Sequence, residues 1–90
     1  MPNATRNVTV GSRVGLHARP ASLFVQAVEA SGHDVTISKA SGDSADGASI
    51  LAVLALAVGS GEALELVVEG AEADRVADEL AALLTSDLDA

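Results

Sequence analysis

One segment of this chain alternates so regularly that it limits what the rest can form. From Glu62 to Glu69, the residues Leu64, Leu66 and Val68 fall at every second position. Side chains of a β-strand point alternately to two faces, so this spacing is typical of a strand with one buried face. The chain must therefore supply other strands to pair with it and a layer that covers its apolar face.

Partner strands are indicated at three other places. Arg6 to Val10 alternates polar and apolar residues, and Asp34 to Lys39 places Val35 and Ile37 on one face. A short third strand is predicted from Ser44 to Asp46, after a polar turn. Val14 and Leu16, which follow the first strand, are expected to carry the chain back toward the core.

The covering layer is predicted to be helical. Apolar residues at helical spacing run from Leu23 to about Ala30, after a start near His17 to Arg19 and before a stop at Ser31 and Gly32. A second amphipathic helix is predicted from Ala71 to Thr85, and Ser86 to Ala90 is expected to be a frayed tail. The apolar face of this later helix consists of Val76, Leu80, Leu83 and Leu84, and the acids expected to form a solvated face are Glu72, Asp74, Asp78 and Glu79.

Between these helices, Ile50 to Val58 is apolar on every side. Ser49 is a good N-cap and Gly59 a good stop, so we predict a third helix here. A short helix in a small protein does not readily bury all its faces, and we expect an exposed apolar patch that marks a partner surface. This patch is predicted to consist of Ile50, Leu51 and Leu54. A central strand or a fully buried helix would also fit so short a run.

The order of elements is βαβ(β)αβα within 90 residues. This order predicts an α+β structure in which one antiparallel sheet is covered by helices on one face. The length and the 49% hydrophobic content predict one domain over residues 1–90 with an aliphatic core. There is no cysteine, which excludes disulfides and thiolate chemistry.

Charge and hydropathy narrow the functional classes. The formal net charge of −8 argues against nucleic-acid binding, which needs a basic surface. The longest apolar run has nine residues, far too few to span a bilayer, and the start does not resemble a signal peptide. We therefore expect a cytoplasmic protein without direct membrane insertion.

The most informative chemistry lies at Gly15-Leu16-His17-Ala18-Arg19-Pro20. The His17 imidazole can accept a phosphoryl group, and the Arg19 guanidinium presents a planar set of donors to phosphate oxygens. Neither histidine, alanine nor arginine is a good helix cap, so the first-turn N–H groups are predicted to stay open to an anion. A His and an Arg in an ordinary solvated loop would look the same in sequence.

Other kinds of site find little support. His17 and His33 are the two histidines, they are not spaced as a metal-binding pair, and carboxylates do not cluster with them. We therefore expect no metal and no cofactor, and we interpret His33 as a turn residue. An enzyme with a substrate pocket of its own is also disfavoured in so small a chain.

The segment from Gly15 to Ala21 resembles the active-site signature of HPr, the histidine-containing phosphocarrier family of the bacterial phosphoenolpyruvate-dependent sugar phosphotransferase system. Ser49-Ile50-Leu51, followed by an apolar helix, is similar to the regulatory serine site of that family. The resemblance covers nearly the whole chain. It implies an open-faced β-sandwich with four antiparallel strands and three helices.

The resemblance also implies roles for individual residues. His17 would accept a phosphoryl group at Nδ1 from phosphorylated enzyme I and pass it to IIA domains of sugar permeases, with Arg19 neutralising the phosphate. Ser49 would be phosphorylated by HPr kinase/phosphorylase. Ile50, Leu51 and Leu54 would contact successive partners of a monomeric carrier that is a co-substrate and not an enzyme.

Two features depart from the family pattern. Many members have a lysine before the regulatory serine, where this chain has Ala48, and lysines on the first helix are replaced in the region of Gln26 and Glu29. A regulatory or nitrogen-branch carrier with targets other than sugar permeases remains an alternative within the family. A small domain that binds an anion at His17 and Arg19 without covalent transfer is an alternative outside it.

Overall fold

A computed structural model describes residues 3–86 of the chain. These residues form four strands and three helices in the order predicted from the sequence. In chain order they are β1 (Asn3–Thr9), α1 (Ala18–Ser31), β2 (Asp34–Lys39), β3 (Ser44–Asp46), α2 (Ile50–Ala55), β4 (Ala63–Glu69) and α3 (Ala73–Thr85).

The strands form one antiparallel sheet in the order β1-β4-β2-β3. The segment with the clearest alternation, β4, lies between β1 and β2, and Leu66 is paired with Arg6 on one side and Ile37 on the other. An interior strand forms hydrogen bonds with a neighbour on each edge and packs one face against the covering layer. The regular alternation of apolar and polar residues in β4 fits that position. The predicted fold, a four-stranded antiparallel sheet with three helices, is confirmed.

The core lies between the helices and one face of the sheet. Ile37, Leu66 and Val68 are completely buried, and so is Phe24 of α1, the one aromatic residue of the sequence. The opposite face of the sheet carries exposed residues such as Glu65, as strands with one covered face require. The protein therefore has the open-faced arrangement that was expected.

The start of β1 and the end of α2 each differ by three residues from those predicted. β1 begins at Asn3 and not at Arg6, because the first residues of the chain pair with the end of β4, and Asn3 lies opposite Glu69. α2 ends at Ala55 and not at Val58, since Ala57 adopts a left-handed φ of 55° that a helix cannot continue. Only contacts between distant parts of the chain decide these two ends.

α3 begins two residues later than predicted, and its acids are not merely solvated. Asp74 and Asp78 bind the guanidinium of Arg6 on β1, at 3.3 and 2.9 Å. Arg75 forms ion pairs with Glu72 and Glu79, at 3.1 and 2.8 Å. The four acids form the exposed face that was predicted, and each of them also pairs with an arginine.

His33 is more than a turn residue. Its Nε2 accepts a hydrogen bond from the backbone N–H of Glu72 at 3.1 Å, and its Nδ1 lies 2.7 Å from the carbonyl oxygen of Ser31. The ring therefore joins the end of α1 to the start of α3. A residue adjacent to a turn in sequence thus has a tertiary function.

At the other end of the described chain, Ser86 caps α3. The rest of the predicted frayed tail, up to Ala90, lies outside the described residues. No helix within residues 3–86 has the length and apolar content needed to cross a membrane.

Candidate functional site

The loop that carries His17 connects β1 to α1 and is tied to the fold on both sides. The N–H of Val10 donates to the carbonyl oxygen of Glu62 at 3.0 Å. The N–H of Gly11 donates to the carbonyl oxygen of Leu84 at 2.9 Å. Leu16 is 2% exposed and anchors the other end of the loop in the core. Val14, expected to turn inward with Leu16, is instead 53% exposed.

Gly15 is the residue that lets this loop approach the core so closely. It has a φ of 69°, and a Cβ added there would collide with the carbonyl oxygen of Val58. The same carbonyl oxygen accepts the N–H of Leu16 at 3.0 Å. The loop therefore packs backbone against backbone immediately before His17, which only glycine allows.

His17 is the N-cap residue of α1. Its backbone is extended, with φ −134° and ψ 157°, and its side chain makes no capping hydrogen bond. The imidazole is exposed, and no side chain within the described range caps the first-turn N–H groups of α1. The predicted open helix start is therefore confirmed, and it is the kind of helix end that attracts anions.

The next residue, Ala18, has a φ of 47°. A left-handed backbone costs a residue with a Cβ about 1–2 kcal/mol. The chain turns sharply here, between the extended backbone of His17 and the helix that follows. This strain could not be predicted from the sequence, because alanine is an ordinary helix residue.

Arg19 lies in the first turn of α1 and is exposed. It makes no ion pair with any residue from 3 to 86, whereas Arg6, Lys39 and Arg75 all do. Its guanidinium is therefore available to a ligand near His17. A planar guanidinium and free backbone N–H groups are together well suited to phosphate oxygens.

Ser49 has the capping role predicted for it. Its Oγ accepts the N–H of Ala52 at 3.2 Å, and the residues before it are ordered by a hydrogen bond from the N–H of Ala48 to Oδ1 of Asp46 at 2.9 Å. Ser49 is half-buried, at the start of a helix that packs against α1. The two predicted chemical sites thus belong to helices in contact.

The predicted apolar patch is smaller than expected. Leu51 is 77% exposed and Ile50 is 37% exposed, but Leu54 is half-buried and packs against the core. Val53, two residues after Leu51 and on the other side of α2, is completely buried. We call Ile50 and Leu51 the α2 patch.

The side chain of His17 is exposed at the surface. A recess of about 430 Å³ is lined by Asn7, Ser38, Lys39 and their neighbours at the sheet, and His17 is not among them. No group of three metal-binding side chains is present within residues 3–86. A nucleophile on the surface at an open helix start can meet a group that another molecule brings to it.

The fold and this site together define a class: a small α+β protein that presents an exposed imidazole, flanked by a guanidinium, at an uncapped helix start. Comparison with known proteins specifies the class further. Residues 4–86 match the family model described as PTS HPr component phosphorylation site. The chain therefore belongs to the HPr family of phosphocarrier proteins of the phosphotransferase system.

Individual relatives agree over nearly their full length. The phosphocarrier protein HPr of Streptomyces coelicolor is 45% identical over 86 residues, which cover 96% of this chain and 92% of the relative. That of Haloferax volcanii is 43% identical over 82 residues, or 90% of this chain and 92% of the relative. The crystal structure of HPr from Bacillus anthracis superimposes with a TM-score of 0.86 at 34% identity, covering 91% of this chain and 96% of that structure.

Proposed function

We propose that His17 is the residue that carries the phosphoryl group. The observation that supports this most directly is the uncapped start of α1 at His17. The imidazole nitrogen forms a bond to phosphorus as the bond between phosphorus and the donor breaks, and Nδ1 is the acceptor by analogy with the family. Such a transfer needs mainly positioning and neutralisation of charge, which the open N–H groups and Arg19 supply.

The donor in this proposal is phosphorylated enzyme I, and the acceptors are IIA domains of sugar permeases. The α2 patch supplies the apolar contact, because Leu51 is the most exposed large apolar side chain of the described residues. Leu54 contributes its exposed part, since it is half-buried and lies one turn after Ile50 and Leu51 on the helix. We further propose that residues 1–90 act in the cytoplasm as one monomeric domain and as a co-substrate.

Ser49 is proposed as a regulatory site, modified by an HPr kinase/phosphorylase where that enzyme is present. Its position next to the α2 patch supports this, since a phosphate would place ~2 negative charges beside an apolar docking surface. Serine phosphoesters are stable, whereas phosphohistidine transfers its group readily. Ser49 therefore suits a switch, and His17 suits a relay.

Transfer of label from phosphoenolpyruvate through enzyme I tests the proposal. We expect the native protein to take up label that is lost in acid, as the bond between phosphorus and imidazole is labile. The variant His17→Ala should take up none. His33→Gln is the matched control, because it removes the other histidine while keeping an acceptor for the N–H of Glu72. Acid-stable label, or label in His17→Ala, would contradict the proposal.

Arg19→Gln extends the experiment to the guanidinium. Loss of a group that stabilises the transferred phosphate is expected to slow transfer by about tenfold or more. A domain that binds an anion without covalent chemistry would instead take up no label in any variant. Native rates in Arg19→Gln would show that this side chain has no part in transfer.

A further inference from the structure

One partly buried ion pair lies behind the loop that carries His17. Nζ of Lys39, the last residue of β2, is 3.3 Å from Oε2 of Glu62, which precedes β4. Their side chains are 20% and 33% exposed, less than either partner of the surface pairs made by Arg75. Reduced solvent screening strengthens the Coulomb attraction between the two charges.

The two side chains form hydrogen bonds with both ends of the segment 56–59. Nζ of Lys39 also donates to the carbonyl oxygen of Leu56 at 3.2 Å. Oε1 of Glu62 accepts the N–H of Gly59 at 2.9 Å. Between these two points lies Ala57, whose φ of 55° is unfavourable for a residue with a Cβ. The ion pair thus stabilises a strained turn that local preference would not keep.

This turn presents one carbonyl to the acceptor loop. The carbonyl oxygen of Val58 accepts the N–H of Leu16 at 3.0 Å, and Gly15 packs directly against it. Leu16 immediately precedes His17, so the position of Val58 determines the position of the backbone that carries the imidazole. A continuous set of contacts therefore runs from the ion pair to the proposed phosphoryl acceptor.

Electrostatics agrees with the geometry at Glu62. The N–H of Gly59, and then the ammonium of Lys39, lower the pKa of this carboxyl group. The group is therefore held in its charged form at neutral pH, as both contacts require.

We propose that Lys39 and Glu62 are positioning residues for phosphoryl transfer at His17. Neither contacts the phosphate; their ion pair fixes residues 56–59, and this segment fixes the acceptor loop. The kinetic part of this inference rests on the proposed function of His17. The structural part, that the ion pair orders the loop, can be measured without any phosphoryl donor.

Four variants separate the contributions. Lys39→Met removes the charge and the bond to Leu56, and Lys39→Arg restores both. Glu62→Ala removes both contacts of the carboxylate, whereas Glu62→Gln keeps an acceptor for the N–H of Gly59. Arg75→Met is the matched control, since it breaks ion pairs near the start of α3, while the acceptor loop meets the end of that helix at Leu84.

Hydrogen exchange at the Leu16 amide is the first measurement. In Lys39→Met and Glu62→Ala we expect exchange at this amide to be about tenfold faster relative to the amides of β4, because local opening no longer has to break the ion pair. In Lys39→Arg and Arg75→Met, the Leu16 amide should exchange at the native rate. In Glu62→Gln, its rate should lie between those of the native protein and Glu62→Ala. Unchanged exchange at Leu16, or equal acceleration at every amide, would overturn the proposal.

Phosphorylation kinetics with enzyme I are the second measurement. Lys39→Met should lower kcat by about threefold to tenfold with little change in KM, because the imidazole is misplaced while the docking surface is intact. A rise in KM with native kcat would contradict a positioning role. If the native protein accepts no phosphoryl group, the proposed function fails, and the Leu16 amide still decides whether the ion pair orders the loop.

Discussion

At the scale of single residues, the two histidines show how differently one side chain can be used. His17 is exposed at an open helix start, whereas His33 uses both ring nitrogens to connect α1 and α3. The neighbours of His17 in the chain indicated its role, whereas those of His33 indicated only a turn. The role of His33 depends on packing, because its ring lies directly against Gly70, where a Cβ would collide with it.

Gly15 gives a prediction at this scale. Gly15→Ala should lower the free energy of unfolding by more than about 2 kcal/mol, because the new Cβ adds a collision with Val58 to the cost of a positive φ. Gly42→Ala is the control: its φ is 98°, with nothing within 4 Å of the new Cβ, and it should cost about 1 kcal/mol. Urea unfolding of both variants measures the difference. Equal losses would mean that Gly15 is needed for its φ alone.

At the scale of elements, the starts of α1 and α2 are opposites. α1 begins at a residue whose side chain makes no capping bond, and α2 begins at Ser49, whose Oγ caps Ala52. A side-chain cap satisfies one of the free N–H groups at a helix start, while an uncapped start leaves all of them for a ligand. The presence or absence of a cap thus distinguishes the proposed relay site from the proposed switch.

The variant Ser49→Asp tests the switch. Aspartate caps a helix about as well as serine, so α2 should keep its start while a negative charge is added beside the α2 patch. We expect KM for phosphorylation by enzyme I to rise about threefold to tenfold, with a smaller effect on kcat.

Ser44→Asp adds the same charge on the exposed edge strand β3 and serves as the control for Ser49→Asp. Circular dichroism and urea unfolding should show that both variants stay folded. A native KM in Ser49→Asp, or an equal rise in both variants, would argue against a local effect at the docking surface.

At the scale of the whole molecule, acid stability follows from carboxyl groups whose pKa is lowered in the folded protein. The pKa of Glu62 is lowered by the N–H of Gly59 and by Lys39, and that of Glu72 is lowered by its contacts with Arg75. A carboxyl group with a lowered folded-state pKa stabilises the fold above its ordinary pKa. That contribution is lost as the pH falls through the folded-state value, since the unfolded chain binds the proton more readily.

We therefore expect the urea midpoint to be nearly constant at neutral pH and to fall below about pH 4. Glu62→Gln should make this fall shallower. Glu65→Gln is the control, because Glu65 is exposed on the open face of the sheet and makes no ion pair with residues 3–86. Identical profiles for Glu62→Gln and the native protein would show that Glu62 does not contribute to the acid transition.

The local pattern of the sequence determined the four strands, the three helices and the cap at Ser49, because periodicity and capping preferences act between near neighbours. It also indicated the chemistry of His17 and Arg19 and the open start of α1. Only the tertiary structure decided the early end of α2, the left-handed Ala18 and Ala57, the pairing of Lys39 with Glu62 and the bridging role of His33. Each of these depends on contacts between segments far apart in the chain, which pattern alone does not encode.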